Sequence, residues 1–283
     1  MSFPRPFAAV AAVLALAGAL ALGAGLFGPG GHQRSAAQQP PGQPTPVLEC
    51  FRIADGAIPN AVVRLTTKNF GPDVAVVRQA VRYCEFANKY LPPSPTEEVK
   101  PPERELGLQC YNIRKGDDPD DDVILDTQNF GPHKATIRTA VMMCENALKL
   151  RIGADGTVTT YGDPNSQLVL QCFKIEAKFP INKKATLVTK NFGADAVHVI
   201  RPVFFCEQAI KERPNHEPYG VNEEPVQIEC FAIEAKDRQV PVTLRTRNFG
   251  PDEVRVRRGD LLCERAKKTH IFEDPAGGGD PTD

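Results

Sequence analysis

Eight cysteines are the residues with the clearest potential for chemistry in this chain of 283 residues. They form four successive pairs whose members are 34, 34, 34 and 33 residues apart, whereas neighbouring pairs are separated by 26, 28 and 24 residues. No two of them make a C-x-x-C motif, so zinc ribbons, thioredoxin-like chemistry and Fe–S clusters have no support. Because a disulfide fixes the distance between its Cα atoms, the constant intervals predict the closed loops. The predicted bridges are Cys50–Cys84, Cys110–Cys144, Cys172–Cys206 and Cys230–Cys263.

Cysteines in this number indicate an oxidising compartment, and the N-terminus agrees. Residues 2–6 carry one basic residue, Arg5, and no acidic one, and from Phe7 to Leu26 the chain is almost wholly Ala, Val, Leu and Gly. This pattern is typical of a secretory signal peptide, with cleavage after Gly23 or after Ala37. The alternative is an N-terminal anchor, because about twenty apolar residues can just span a bilayer. We expect a secreted, extracellular or periplasmic protein with no other membrane contact.

One glutamate follows the second cysteine of every pair. Four carboxylates could serve as acids or metal ligands. A group that recurs at a fixed distance from a disulfide is better interpreted as architectural, paired with an arginine on the neighbouring strand. The glutamates are Glu85, Glu145, Glu207 and Glu264, and the candidate arginines are Arg78, Arg138, Arg201 and Arg257.

An acidic run occurs once, between residues 117 and 122. Its clustered oxygen atoms could hold Ca²⁺, but the run lacks the glycine and the final glutamate of an EF-hand, and a solvated loop is the main interpretation. No metal and no other cofactor is predicted. The carboxylates of the run are Asp117, Asp118, Asp120, Asp121 and Asp122.

Five arginines alternate outward on two neighbouring predicted strands near the C-terminus. Together they would make a basic face that could bind an anionic polymer. The alternative is a solvated polar sheet face, favoured by the absence of Trp and by a net charge of −1. We expect no nucleic-acid partner. The arginines are Arg245, Arg247, Arg255, Arg257 and Arg258.

The sequence offers little support for an enzyme. The predicted exported portion has two serines, Ser94 and Ser166, and no G-x-S-x-G motif. Its histidines lack the H-E-x-x-H spacing of zinc hydrolases, and no Walker or Rossmann glycine pattern occurs. The alternative is a secreted hydrolase acting on glycans through paired carboxylates, or a lectin-like binder of anionic polysaccharide.

These residues belong to a motif that recurs with periods of 60, 62 and 58 residues. Each copy has a Leu/Ile-x-Cys-Phe/Tyr-x-Ile phrase, an alternating run of period two that predicts a strand, and an Asn-Phe-Gly turn. The Phe of the turn lies fourteen residues before the second cysteine in every copy. A third strand should follow, and then a fourth segment that carries this cysteine. In the first strand Cys50 and Phe51 point to opposite faces, which implies burial on both faces or a bulge.

A unit of about 42 residues cannot bury enough apolar surface alone, so it must pack against the next repeat. The predicted fold is all-β, with four homologous small antiparallel β repeats packed sheet-on-sheet as pairs or a short array. Each repeat would have one internal disulfide, which stabilises it by about 3–4 kcal/mol. The predicted repeats are residues 48–90, 108–150, 168–212 and 226–269. The predicted signal peptide with its polar segment is 1–37, the linkers are 38–47, 91–107, 151–167 and 213–225, and the disordered tail is 270–283.

Each copy closes with a Cys-Glu-x-Ala phrase at its second cysteine. This phrase, the first-cysteine phrase and the Asn-Phe-Gly turn resemble an uncharacterised tandem β-repeat domain of secreted bacterial proteins, over roughly residues 48–269. That family carries a Leu-Cys-Tyr-Lys phrase, a Gln-Phe-Gly turn and a closing Leu-Cys-x-Pro-Ala phrase. Here Asn replaces Gln before Phe-Gly, and Glu-x-Ala replaces x-Pro-Ala. The resemblance implies no particular activity. We expect an exported non-catalytic protein with a structural or interaction role, whose partners would be polymers or proteins of the cell envelope or extracellular space.

Overall fold

The fold, taken from a computed structural model, is described for residues 44–92, 99–115, 119–152, 155–214, 216–220 and 226–271. Every regular element in these ranges is a β-strand, and no helix there is long and apolar enough to cross a membrane. The all-β antiparallel class is confirmed. The predicted signal peptide, its two cleavage sites, Asp117 and Asp118 lie outside the described residues.

Each repeat contributes a first strand, a second strand and a long third strand. The first strands are β1 (Thr45–Ala54), β4 (Gly107–Lys115), β8 (Val169–Glu176) and β12 (Gln227–Glu234). The second strands are β2 (Val62–Thr67), β5 (Asp121–Thr127), β9 (Lys183–Thr189) and β13 (Val240–Thr246). The third strands are β3 (Gly71–Tyr90), β6 (Gly131–Ile152), β10 (Gly193–Arg213) and β14 (Gly250–His270). Two short strands, β7 (Val158–Tyr161) and β11 (His216–Tyr219), lie in predicted linkers and pair with β6 and β10.

The Asn-Phe-Gly turns connect the second strand of each repeat to the third, as predicted. Their glycines have φ angles between 68° and 73°, which glycine adopts without steric cost. The predicted separation into a third strand and a fourth segment is wrong. Each third strand is continuous for 20 to 22 residues, and an irregularity near Ala80 bends β3 where a break was expected.

First and third strands alternate in a closed antiparallel ring of eight, ordered β1-β3-β4-β6-β8-β10-β12-β14 and back to β1. Within a repeat the two cysteines lie directly opposite each other. Between repeats the first cysteine faces the residue two positions before the preceding repeat's second cysteine, as Cys110 faces Arg82. Four shifts of two residues give a stagger of eight around the ring. Such a stagger closes a sheet of eight strands whose inclination to the axis is about 35–45°.

The second strands connect opposite repeats. Strand β2 pairs with both β3 and β10, and β9 pairs with both β10 and β3, so repeats 1 and 3 are interlocked. Strands β5 and β13 interlock repeats 2 and 4 in the same way. We expected each repeat to pack mainly against the next one. Neighbours do share the ring, but the described residues form one compact unit without a division into halves.

All four predicted disulfides are present. The eight cysteines form one buried layer inside the ring, where the Sγ atoms of Cys84 and Cys110 lie 3.7 Å apart. Leu48, Leu108, Leu170 and Ile228, each two residues before a first cysteine, form the adjacent apolar layer.

Strand β1 is buried on both faces and also has an irregular register, so both alternatives that its sequence left open are present. Cys50 faces the interior of the ring, while Phe51, on the opposite face, is also fully buried and packs in an outer cluster with Leu244 and Val256. The pairing of β1 with β14 also shifts register on either side of Phe51. The first strand is apolar on both faces because the second strands cover the outside of the ring.

Candidate functional site

The recurrent glutamates lie on the outer face of the ring, beneath the Asn-Phe-Gly turns. Glu85 is the clearest case. Its Oε2 atom accepts hydrogen bonds from Lys149 Nζ at 3.0 Å, from Asn191 Nδ2 at 2.7 Å and from the Tyr83 hydroxyl at 3.2 Å. The lysine comes from the next repeat and the asparagine from the opposite repeat. Burial raises the pKa of the Tyr83 phenol well above its ordinary value, which keeps it a hydrogen-bond donor.

The same three-part contact occurs in every repeat. We call this set the buried belt: four glutamates, four lysines and the four turn asparagines. The lysine–glutamate pairs are Lys149–Glu85, Lys211–Glu145, Lys268–Glu207 and Lys89–Glu264. The asparagine donors are Asn191 to Glu85, Asn248 to Glu145, Asn69 to Glu207 and Asn129 to Glu264.

Aromatic rings cover the buried belt. Lys149 Nζ lies 4.0 Å from the ring centre of Phe192, and Phe192 in turn meets Phe51 with ring centres 4.7 Å apart. Equivalent pairs of a turn Phe and the aromatic residue after a first cysteine occur in the other repeats. Burial lowers the pKa of Lys89, and the charge of Glu264 partly offsets that effect. The glutamate and lysine side chains of the belt are therefore shielded from solvent, whereas the turn asparagine Asn69 is exposed.

The expected arginine partners of these glutamates are wrong. Arg138 pairs with Asp120 and Glu176 at the surface, and Arg257 pairs with Asp237. Each glutamate instead pairs with a lysine of the next repeat around the ring. That lysine lies four residues after the glutamate of its own repeat. The phrase Cys-Glu-x-Ala-x-Lys stands in all four copies, so the lysines carry a sequence signal that we did not use.

A second buried polar set connects the residue before each first cysteine to the second residue after a turn glycine. Gln109 donates to Asp252 at 2.7 Å, Gln171 donates to Asp73 at 2.7 Å, and Glu229 contacts His133 Nε2 at 2.8 Å. Each pair joins opposite repeats and is complementary, because an amide meets a carboxylate or a carboxyl meets an imidazole. Nothing in the sequence alone pairs these positions.

The fourth pair in this set is mismatched. Glu49 is fully buried, and neither carboxyl oxygen has a hydrogen-bond partner within the described residues. Its counterpart is Asp195, which accepts from Arg238 Nη2 at 2.8 Å. Burial raises the pKa of Glu49 to about 8; the charges of Asp195 and Glu85 add to this effect, and Arg238 opposes it. The raised pKa favours the protonated, neutral form of Glu49 at neutral pH.

The described part of the acidic run makes separate contacts. Asp120 pairs with Arg138, Asp122 accepts from Thr136 Oγ1 at 2.6 Å, and Asp121 lies 3.2 Å from His270 Nδ1. In the ranges that the structure describes, no group of three His, Cys, Asp or Glu side chains could hold a metal ion.

The five arginines of repeat 4 fall into separate places. Arg255 pairs with Asp55 and Arg257 with Asp237, so both charges have a partner. Arg245 and Arg255 are not neighbours across the two strands. Arg255 on β14 lies opposite Pro241 on β13, four residues before Arg245, and the acidic Glu253 of β14 lies between the two arginines. Arg245 and Arg247 instead line a shallow surface pocket with Asn165, and Arg258 is exposed on β14. Anion binding by these arginines stays a prediction.

A large cavity opens at one end of the ring, and we call it the apolar mouth. Its volume is about 940 Å³. Its floor is the leucine layer next to the disulfides, represented by Leu48, Leu170 and Ile228. Further apolar walls come from Pro46, Phe86, Pro101, Pro102, Leu106, Leu168 and Val226.

The opposite end of the ring carries a cluster of charged side chains, and we call it the charged mouth. There Asp260 accepts from Arg52 Nε at 2.9 Å and from Arg82 Nη2 at 2.9 Å. Asp260 stands where the other repeats have Val81, Val141 and Val203, three residues before the second cysteine. Arg82 also lies over the ring of Phe204, at 5.6 Å from its centre.

Fold and site together define a disulfide-clamped all-β protein in which four repeats close into one ring. No protein-family model, no curated protein and no solved structure matches the chain.

Proposed function

We propose that the protein is an exported, non-catalytic β-repeat protein with a structural or interaction role at the cell envelope or outside the cell, akin to the tandem β-repeat domains that its motifs resemble. One observation carries this proposal. Every recurrent carboxylate contacts a lysine and an asparagine from other repeats. The groups that could most readily serve as acids or metal ligands are therefore used to stabilise the fold.

The alternative of a glycan hydrolase receives less support. Glycoside hydrolysis requires two carboxyl groups about 5–10 Å apart, facing each other across a groove that admits the sugar. The recurrent glutamates are covered by the turn phenylalanines. In the described part of the chain, the carboxylates that line the apolar mouth are Glu264, which is buried and paired with Lys89, and the exposed Glu103.

Export is supported by two independent features. The first is the predicted signal peptide, and the second is the set of four disulfides, which persist in oxidising compartments. Within a reducing cytosol such bridges would be lost, together with the loop-closure stabilisation that they supply.

A binding and hydrolysis screen tests the proposal. The secreted chain, with its disulfides intact, is incubated with isolated envelope polysaccharides and anionic glycans, and both the bound fraction and new reducing ends are measured. We expect binding to at least one polymer and no reducing ends above those of a heat-inactivated sample. Release of reducing ends, or no binding to any envelope fraction, would overturn the proposal.

A variant with Arg245, Arg247, Arg255, Arg257 and Arg258 all replaced by Gln serves as a control for the surface involved. Loss of polymer binding in this variant would assign the contact to the predicted basic face. Binding that survives the change would contradict that prediction and place the contact elsewhere on the protein.

A further inference from the structure

The apolar mouth has the size and lining of a small-molecule site. Binding pockets for small ligands have volumes of about 300–1,000 Å³ and predominantly apolar walls with a few polar groups. Here the walls come from all four repeats, because residues four and two positions before the first cysteines form two successive apolar layers. The outer layer consists of Pro46, Leu106, Leu168 and Val226.

One wall of the mouth is fixed in place by hydrogen bonds. The hydroxyl of Tyr90 accepts from the backbone N–H of Lys100 at 3.1 Å and donates to the carbonyl oxygen of the same residue at 3.2 Å. Asn88 Nδ2 also donates to that carbonyl oxygen at 3.0 Å. The segment from Lys100 to Leu106 is therefore attached to the end of β3, and the cavity that it borders is part of the fold.

The rim of the mouth carries positive charge. Lys100, Arg104 and Arg265 are exposed at the cavity, and none of their side chains forms an ion pair or a hydrogen bond within the described residues. Among the described residues that line the cavity, Glu103 is the exposed acidic one. Guanidinium groups bind carboxylates in a bidentate manner, so this rim is suited to an anionic head group.

We propose that the apolar mouth binds one long-chain carboxylate, with its hydrocarbon chain on the leucine layer and its head group at Lys100, Arg104 and Arg265. Burial of each methylene group of such a chain contributes about 0.8 kcal/mol, which favours a long chain over a short one. The site is separate from the arginine face of repeat 4. The inference therefore goes beyond the proposed function and stands or falls independently of it.

Two matched tryptophan variants locate the ligand. The chain contains no Trp, so a single introduced indole is the only one in the protein. Phe86→Trp places it in the apolar mouth and Phe204→Trp places it at the opposite end of the ring, both at half-buried phenylalanines. A dibrominated stearate quenches indole fluorescence on contact. We expect saturable quenching of the Phe86→Trp protein and little quenching of the Phe204→Trp protein.

A charge test accompanies the quenching experiment. Replacing Lys100, Arg104 and Arg265 by Gln in the Phe86→Trp protein should weaken stearate binding at least tenfold. Replacing the exposed Arg114, Lys174 and Arg201 at the other end should change it less than twofold. The methyl ester of the same carboxylate should bind at least tenfold more weakly than the free acid.

The outcomes separate clearly. Equal quenching at both ends would mean non-specific adsorption and would overturn the proposal. An unquenched Phe86→Trp protein would do the same, because it would mean that another part of the chain or nothing at all occupies the mouth. Stearate binding that is unchanged when Lys100, Arg104 and Arg265 are replaced would refute the carboxylate assignment. Circular dichroism of each variant checks that the fold is retained.

Discussion

The buried belt and the apolar mouth are built from the same four repeats but use them differently. In the belt, each repeat contributes the same asparagine, glutamate and lysine, and each of these side chains contacts another repeat through a hydrogen bond or an ion pair. The residue after each belt glutamate, in contrast, differs in every repeat: Phe86, Asn146, Gln208 and Arg265, of which Phe86 and Arg265 line the mouth. Identical polar residues are thus used to hold the repeats together, while the neighbouring positions that face the ring's interior or solvent are different from one another.

The two ends of the ring extend this comparison. Beyond the disulfide layer on one side lie the two apolar layers of the mouth, and on the other side Asp260 binds two arginines. The fourfold pattern therefore specifies the centre of the molecule and the apolar layers of the mouth. Residues that differ between the repeats, such as Arg265 at one end and Asp260 at the other, distinguish the two openings. This predicts large effects on stability from changes in the belt and small ones from changes at the mouth.

The largest effect is expected from Lys149→Met. The substitution leaves Glu85 buried with its charge unbalanced, which costs about 3–5 kcal/mol of unfolding free energy. Urea denaturation of the oxidised protein measures this loss. Lys190→Met is the matched control, because Lys190 forms an exposed pair with Glu105 and its loss should cost less than about 1 kcal/mol. Equal costs for the two variants would contradict the assignment of stability to the belt.

Glu49→Gln tests the mismatched pair of the second polar set against the three complementary pairs. The substitution should change how the free energy of unfolding depends on pH. The folded pKa of Glu49, about 8, lies above the ordinary value of 4.5, so the folded state holds its proton more tightly than the unfolded state does. Its contribution to stability is complete below the ordinary pKa and is lost as pH rises through the folded pKa, at up to about 1.4 kcal/mol per pH unit. The amide variant, like Gln109 and Gln171, has no proton to lose.

We therefore expect the variant and the original protein to be similar near pH 4. Near pH 9 the variant should be more stable by on the order of 3 kcal/mol. Urea denaturation across this pH range gives the difference, and Glu253→Gln, at an exposed glutamate of β14, provides the control. The reverse change Gln109→Glu, which puts a second carboxyl beside Asp252, should create the same pH dependence in repeat 2. A pH-independent difference for Glu49→Gln would contradict the mismatch.

Asn129→Ala tests the contact between opposite repeats. Asn129 Nδ2 donates to Glu264 at 2.8 Å, and a hydrogen bond to a charged group contributes about 1.5–3 kcal/mol. Thermal or urea unfolding should show a loss in this range. Asn112→Ala, at an exposed asparagine on β4, should leave stability within about 0.5 kcal/mol of the original.

The smallest effect on stability is expected at the mouth. Arg265→Gln should change the free energy of unfolding by no more than about 0.5 kcal/mol, because the side chain is exposed and without a partner in the described residues. The same variant should weaken stearate binding measurably. A loss of stability comparable to that of Lys149→Met would show that the rim serves the fold, and the distinction between belt and mouth would fail.

Much of the local structure could be predicted from the sequence. The constant spacing of Cys50 and Cys84, repeated in the other copies, predicted the disulfides, and Gly71 predicted the turn because it supplies a positive φ. The partner of Glu85 could not be predicted in the same way. Lys149 is 64 residues away along the chain, and the two meet only because the ring brings neighbouring repeats together. The apolar mouth likewise depends on closure, since no single repeat encloses it.

The sequence by itself determined the turns, the four disulfides and most of the strands, because each depends on short spacings within one repeat. Only the tertiary structure decided how the repeats meet, which ones exchange strands, and which end of the ring stays open and apolar. The physical reason is that the four repeats carry the same Asn, Phe, Glu and Lys. In the sequence alone, a residue of the neighbouring repeat and its counterpart in the opposite repeat are therefore chemically equivalent partners. Closure of the eight-strand sheet with its fixed stagger decides which of these partners come into contact.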